Sequence, residues 1–436
     1  MARTKPLLLG LRMKVALLVP PSPFLFDPMT FPPLGVLYLS AYLKIRGHDV
    51  TVYDYNDPKD RFLKNWKRVE DSDVIGFTLT TPQFSEAVML LGRLKRAFPD
   101  KYFVAGGPHA SCDPQSCVDV GFDRVIVGPG EHELAILTAA NLIRTKPKII
   151  SAEFPSPGFI DILPFPDRSA VDLKHYKYKI DGSAATSIIT QRGCSYSCAF
   201  CCHWPGYQHM RFRRPDSVVQ EIDEVKNIYG YEAFMVWDDE FNLNRERTLK
   251  LCRALKPLEI KFRCFIRSNL FDAELGKAMQ DAGCVEVGCG VESGSQKVLT
   301  TIGKQTTVGN NTQARSICRM LGIRFKAFTI IGLPGEDEQS VQETREWIRK
   351  NEPDEFDVTI NTPYPGSREW DHSEQFDLIF DKEAMRRSFY DGSYYKGPPK
   401  SPVATKALSA ERIVQLRNEI EDEFNRTRKS RELWTK

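Results

Sequence analysis

Four cysteines crowd into the nine residues from Cys194 to Cys202, inside the segment RGCSYSCAFCCHWPG (192–206). Cys194, Cys198 and Cys201 stand in C-x3-C-x2-C spacing. Three thiolates on one short loop can hold three irons of a cubane 4Fe-4S cluster, one thiolate to each iron. The fourth iron then has no protein ligand and is open to a molecule that chelates through an amino and a carboxylate group. S-adenosylmethionine carries both. One electron passed from the cluster into its sulfonium breaks a C–S bond and releases a 5′-deoxyadenosyl radical.

Other metal chemistry meets obstacles. A structural zinc site pairs a C-x2-4-C with a second ligand pair. That pair is missing here, although Cys202, His203 and His209 are near enough in sequence to serve as ligands, which leaves a non-catalytic zinc module as a remote alternative. A two-cluster ferredoxin repeats its cysteine run, and this chain has one run. Of the eleven cysteines, those at 252, 264, 284, 289 and 318 read as small buried apolar residues. Crowded cysteines in a long chain without a secretion signal point to a reducing compartment, the cytoplasm. No apolar stretch has the length to span a bilayer. With a net charge of +3 over 436 residues and no long basic run, nucleic acid is not expected as a partner.

The elements that must position these residues fall into two alternations. From Lys14 onward, KVALLVP, DVTVYD, VIGFTLT, YFVAGG and RVIVG read as strands, separated by helical stretches at 34–47, 84–98 and 131–143. Strands alternating with helices predict a parallel sheet covered on both faces, with ligands beyond the C-terminal strand ends. Residues 146–183 carry five prolines and read as a linker. From Ala184 a second alternation begins and yields about six βα units, enough for an incomplete TIM-type barrel. Asp216 or Ser217 is expected to cap the helix that runs to Tyr229. SIITQRG is expected to run as one strand into the cysteines. Residues 371–436 form a C-terminal extension with a terminal amphipathic helix, in which Tyr390, Tyr394 and Tyr395 are candidate substrate-lining side chains.

The cysteine segment, with the aromatic Phe200 before its third cysteine, resembles the signature of the radical-SAM superfamily. Downstream segments agree in order: VWDDEF (236–241), VGCGVESGS (287–295), IIGLPGE (330–336) and TPYPGS (362–367). The resemblance implies roles for particular residues. Phe200 would lie near the adenine, and Asp238 or Asp239 near the methionine amino group; the family's Gly-Gly-Glu form is absent, which leaves the choice between the two acids open. Arg267 would pair with the methionine carboxylate and Glu292 with the ribose hydroxyls. The backbone about Gly332 would border the adenine.

A doubly wound domain ahead of such a barrel resembles the cobalamin-binding subfamily, and PPLGVLYLSAYLKIRGHDV (32–50), VIGFTLTTPQ, VAGGPHAS and VGPGEHE match its first helix and later loops. Gly76, Thr78, Thr80, Thr81, Gly106, Gly107, Gly128 and Gly130 would then accommodate a corrin and its nucleotide tail. No Asp-x-His-x-x-Gly motif is present, so cobalamin is expected without a histidine on cobalt. His109 is expected in loop structure or at the nucleotide.

The expectation is an α/β chain: a Rossmann-like cobalamin-binding-type domain (13–145), a linker (146–183), a partial (β/α)6 radical-SAM barrel (184–370) and the extension. Its cofactors would be a 4Fe-4S cluster, S-adenosylmethionine and histidine-off cobalamin. The activity expected is C-methylation of an unactivated carbon, with a non-methylating radical rearrangement or cyclisation as the alternative. The partners would be a small-molecule or peptide substrate and an electron donor such as flavodoxin or ferredoxin.

Overall fold

A computed structural model describes residues 12–61, 69–139, 148–153, 158–387 and 399–424. Tyr390, Tyr394 and Tyr395 lie outside the described residues, as do the expected ends of the helices at 140–143 and 425–431. The chain divides into two compact units. One holds the chain to residue 23, residues 32–155 and residues 163–175; the other holds Phe24–Phe31, 156–162 and everything from Tyr176 onward.

The first unit is built on six parallel strands: β1 (Lys14–Val19), β2 (Asp49–Asp54), β3 (Val74–Thr78), β4 (Tyr102–Gly106), β5 (Arg124–Val127) and β6 (Ile149–Ser151). Their order is β2-β1-β3-β4-β5-β6. Helices α1 (Leu34–Lys44), α2 (Phe84–Ala97) and α3 (Gly130–Ala139) connect them. Strand β1 is buried from Val15 to Val19 without alternation, as a strand covered on both faces requires. The order reverses between β1 and β3, and in such sheets the crevice beyond the C-terminal ends at that point takes the ligand. Gly107 follows β4 with φ +91°, and a Cβ there would lie 2.9 Å from the Leu79 nitrogen, so only glycine fits the crossing of these two strand ends.

The second unit carries six parallel strands in simple succession: β7 (Ser183–Ile188), β8 (Ala233–Val236), β9 (Lys261–Ile266), β10 (Cys284–Glu292), β11 (Arg324–Ile331) and β12 (Glu355–Ile360). Helices α4 (Pro215–Tyr229), α5 (Arg245–Leu255), α6 (Ala273–Asp281), α7 (Val308–Leu321) and α8 (Glu338–Asn351) return the chain, and α9 (Ala410–Phe424) follows. A short antiparallel strand, Lys179–Ile180, edges β7. This is the (β/α)6 half of a barrel. Along β9, Arg263 and Phe265 alternate with fully buried residues, and along β11 Lys326 and Phe328 do the same. Between them Gly288 of β10 leaves room for two rings: a Cβ there would stand 2.7 Å from Phe328 and 2.8 Å from Phe265.

Two local expectations are corrected. Helix α4 is not capped by Asp216 or Ser217; Pro215 occupies its first turn and Arg214 the cap position, extended and without a side-chain cap. Proline favours the first helical position and drives its predecessor out of the helical region. The run SIITQRG is not one strand but two pieces, β7 and a two-residue strand Gln191–Arg192 that pairs antiparallel with Arg211–Phe212. Asp238 causes the break: its carboxylate accepts the backbone N–H groups of Thr190 (2.6 Å) and Gln191 (3.0 Å).

Candidate active site

The Gln191–Arg192 and Arg211–Phe212 pair closes a loop that contains all four clustered cysteines. Gly193 enters it at φ +93°, where a Cβ would be 2.5 Å from the Tyr207 carbonyl oxygen. Its N–H donates to Asp239 Oδ2 at 3.1 Å, and the Tyr207 hydroxyl donates to Asp239 Oδ1. The loop is held from the far side as well: Ala199 N–H donates to Ile302 O (2.8 Å), and Glu369 N–H donates to Ala199 O (3.1 Å). Asp239 therefore acts as a backbone anchor for the cysteine loop.

Cys194, Cys198 and Cys201 open onto one cavity of about 340 Å³. Phe200, Asp239, Arg267 and Glu292 also line it, so these sequence-derived candidates come together. Burial raises the thiol of Cys194 and pushes that of Cys201 up to about 12, with the neighbouring Cys198 adding to the latter. Such thiols stay neutral unless a metal takes the proton's place. Among the described residues, no three His, Cys, Asp or Glu side chains converge tightly enough to share one metal ion. In a cubane each thiolate binds a different iron, so the sulfurs stand further apart than around a single zinc. The donor set fits a cluster.

Arg267 is 2 % exposed, its guanidinium stacked 3.4 Å from the Tyr196 ring centroid. Nη1 lies 3.9 Å from Cys198 Sγ, while Nε and Nη2 are buried without a partner. An unmet guanidinium in a cavity demands a carboxylate. Glu240 stands in the same wall with a buried, unpartnered Oε2. Burial pushes its carboxyl up to about 7 against the pull of Lys304 and Arg267. The two side chains complement the carboxylate and ammonium of an α-amino acid.

Glu292 sits at φ +60°, beside a register shift between β10 and β11. Its Oε1 accepts from Lys304 Nζ at 2.7 Å; both side chains are buried. Burial opposes the charge on Lys304, but Glu292 and then Glu240 outweigh it and raise its pKa. Gly290 makes this pair possible, because a Cβ there would lie 2.3 Å from Glu292 Oε1 and 2.6 Å from Lys304 Nζ.

Two candidates lie elsewhere. Asp238 is 1 % exposed and does not line the cavity; its oxygens are taken by Thr190 and Gln191. Gly332 does not line it either: its N–H donates to Glu336, its oxygen accepts from Asn361, and a Cβ would face Ile413. Sequence reasoning passed over Glu240, Lys304 and Tyr196. Glu240 was within reach, as the residue after the two aspartates of DDEF. Lys304 follows Glu292 by a short helix, Gln296–Thr301, and nothing local marks it.

In the first unit, Gly106, Gly107, Gly128 and Gly130 lie half-exposed at the C-terminal strand ends, and Thr80 is exposed beside them. Gly76 is buried within β3 and Thr78 closes that strand. Thr81 is buried, its hydroxyl 3.1 Å from His109 Nδ1. His109 Nε2 meets Ser116 Oγ at 3.0 Å, and the fully buried ring packs 4.2 Å from Phe84. With both nitrogens occupied, His109 has none to offer a metal. The open strand ends fit a flat cofactor held without a histidine ligand.

Two family models match the chain: the radical SAM superfamily over residues 188–348 and the B12 binding domain over residues 28–138. An uncharacterized methyltransferase of Pyrococcus horikoshii is 28% identical, over 83% of this chain and 83% of that one. The anaerobic magnesium-protoporphyrin IX monomethyl ester cyclase of Cereibacter sphaeroides is 27% identical, over 77% of this chain and 59% of the cyclase. Among solved structures, the radical S-adenosylmethionine methyltransferase TsrM from Kitasatospora setae, with cobalamin and a [4Fe-4S] cluster bound, shares the fold. Its TM-score is 0.68 at 18% identity, over 85% of this chain and 77% of that one.

Proposed function

Because the chain belongs to the radical SAM superfamily, in the branch with a B12-binding domain ahead of the barrel, we propose that it is a cobalamin-dependent methyltransferase acting on an unactivated carbon. The observation that carries this reading is the single cavity in which three thiols, the unmet guanidinium of Arg267 and the unmet carboxylate of Glu240 face one another.

When bound, the cluster and S-adenosylmethionine supply the 5′-deoxyadenosyl radical, and cobalamin supplies the methyl group. The chain's own residues bind and orient. Cys194, Cys198 and Cys201 hold three irons. Arg267 takes the methionine carboxylate and Glu240 the ammonium, an assignment that replaces Asp238 and leaves Asp239 as the anchor of the cysteine loop. Glu292, held by Lys304, takes the ribose hydroxyls, and Phe200 packs beside the adenine. Tyr196 holds the Arg267 guanidinium by stacking, beside Cys198 in the cavity wall. In the first unit, Thr80, Gly106, Gly107, Gly128 and Gly130 border the corrin, while Thr81 and His109 brace the loops from behind. An electron donor and a small-molecule or peptide substrate complete the reaction. Among the described residues no helix is long and apolar enough to cross a membrane.

The similarity to a cyclase keeps a second reading in view, radical rearrangement without methyl transfer. S-adenosylmethionine labelled in its methyl group separates them. Methyl transfer predicts label in the product alongside 5′-deoxyadenosine; deoxyadenosine with an unlabelled product contradicts it.

A further inference from the structure

Trp237 stands between β8 and the acidic run that anchors and lines the cavity, yet 44 % of its surface is exposed. Its indole lies 5.7 Å from Phe265, and Phe265 lies 5.9 Å from Phe328. Both phenylalanines are cavity walls. On its other side Trp237 meets Phe31 edge-on at 5.6 Å, and Phe31 packs 4.5 Å from Tyr178. Phe31 ends the segment Phe24–Phe31, which leaves the first unit to pack with the second. Five rings thus form one chain of contacts, from the cavity-lining Phe328 and Phe265 through Trp237 and Phe31 to Tyr178. The charged inward-facing residues nearby are already paired with one another, Arg263 with Glu286 (2.9 Å) and Lys326 with Asp357 (3.0 Å). Arg263 also donates to the Tyr178 hydroxyl, and its Nε is buried without a partner.

A half-exposed tryptophan braced by a phenylalanine edge is an unfilled stacking site, because aromatic rings gain most from offset or edge-to-face contact with another ring. Resting on the reading of the cavity as the reaction chamber, we propose that the substrate carries a planar aromatic group beside its reactive carbon, and that this group stacks on Trp237. Trp237 and Phe31 determine specificity.

The test is fluorine NMR of the full chain labelled with fluorotryptophan, reconstituted anaerobically, with iron and sulfide assayed in the same sample. The Trp237 signal is identified by its loss in Trp237→Phe. Naphthol is the planar probe, cyclohexanol the non-planar control and glycerol phosphate the polar one. Naphthol is expected to move the Trp237 signal saturably; followed by the broadening of naphthol's own proton signals, it is expected to bind about tenfold more weakly to Trp237→Ala, with Trp237→Phe retaining most of the affinity. Phe31→Ala, a change outside the strands, is expected to weaken naphthol in the same direction, so the outcome does not hang on one variant folding. A Trp237 signal that does not move, or cyclohexanol binding as tightly as naphthol, overturns the proposal. Naphthol binding to a chain that retains no iron or sulfide overturns the cofactor reading instead and leaves the stacking site standing.

Discussion

At the scale of single residues, the account turns on two unmet charges. Replacing Arg267 by methionine keeps the volume and removes the charged donors. S-adenosylmethionine affinity is expected to fall by about 10–100-fold in Arg267→Met, the range for a hydrogen bond to a charged group, measured by equilibrium dialysis on reconstituted protein. Glu240 makes a pH-dependent contribution. Burial raises its carboxyl to about 7, so the side chain loses its charge as pH falls through that value. Wild-type affinity for S-adenosylmethionine is expected to drop below about pH 7, and Glu240→Gln to bind more weakly with no such dependence; dialysis across that range checks both. The cysteines were legible in the sequence because their ligand geometry is local, three positions on one loop. The acids of VWDDEF were not. Which of three successive carboxylates faces a cavity depends on the turn after β8, and that turn is fixed by Asp238 reaching back to Thr190 and Gln191, almost fifty residues earlier.

At the scale of elements, the strands are tuned for close approach. Adding one methyl at Gly288 forces it against Phe265 and Phe328, and Gly288→Ala is expected to cost about 1–3 kcal/mol in denaturant unfolding, as overpacking of a closed site does. The turn after β11 offers a different probe. Glu336 is 1 % exposed, and burial pushes its carboxyl from an ordinary 4.5 to about 8, although the N–H groups of Gly332 and Leu333 favour its charge. The folded chain thus holds this proton more tightly than the unfolded chain. The linkage sign follows: stability declines as pH rises from about 4.5 through about 8. Glu336→Gln keeps the acceptor for Gly332 and removes the charge, so it is expected to raise Tm above about pH 8 by roughly 1–3 °C and to leave it unchanged below about pH 5. The strands and most helices were readable from hydrophobic period, glycine stops and the run of βα units. What escaped was set by chain-distant partners: the break of SIITQRG by Asp238, and Lys304, which only the fold brings to Glu292.

At the scale of the whole molecule, the chain divides into two units. The sixth strand of the first sheet, β6, inside the stretch read as a linker, and the reversal between β1 and β3 were not visible; the other five strands were visible as an alternation of strands and helices. The excursion of Phe24–Phe31 into the second unit was not, because a loop of mixed apolar residues carries no period to read. Cobalamin binding without a histidine makes its own prediction. His109→Ala is expected to lower stability by about 1–3 kcal/mol through its lost buried hydrogen bonds, while the absorbance spectrum of bound cobalamin stays that of wild type. A changed cobalt ligand field in that variant would place a histidine on the metal after all. The most direct test of the central claim is the iron and sulfide content of anaerobically purified protein in which Cys194, Cys198 and Cys201 are all alanine. The account predicts about four irons and four sulfides per wild-type chain and none in the variant; a variant that keeps both, or a wild type that carries zinc without sulfide, contradicts it.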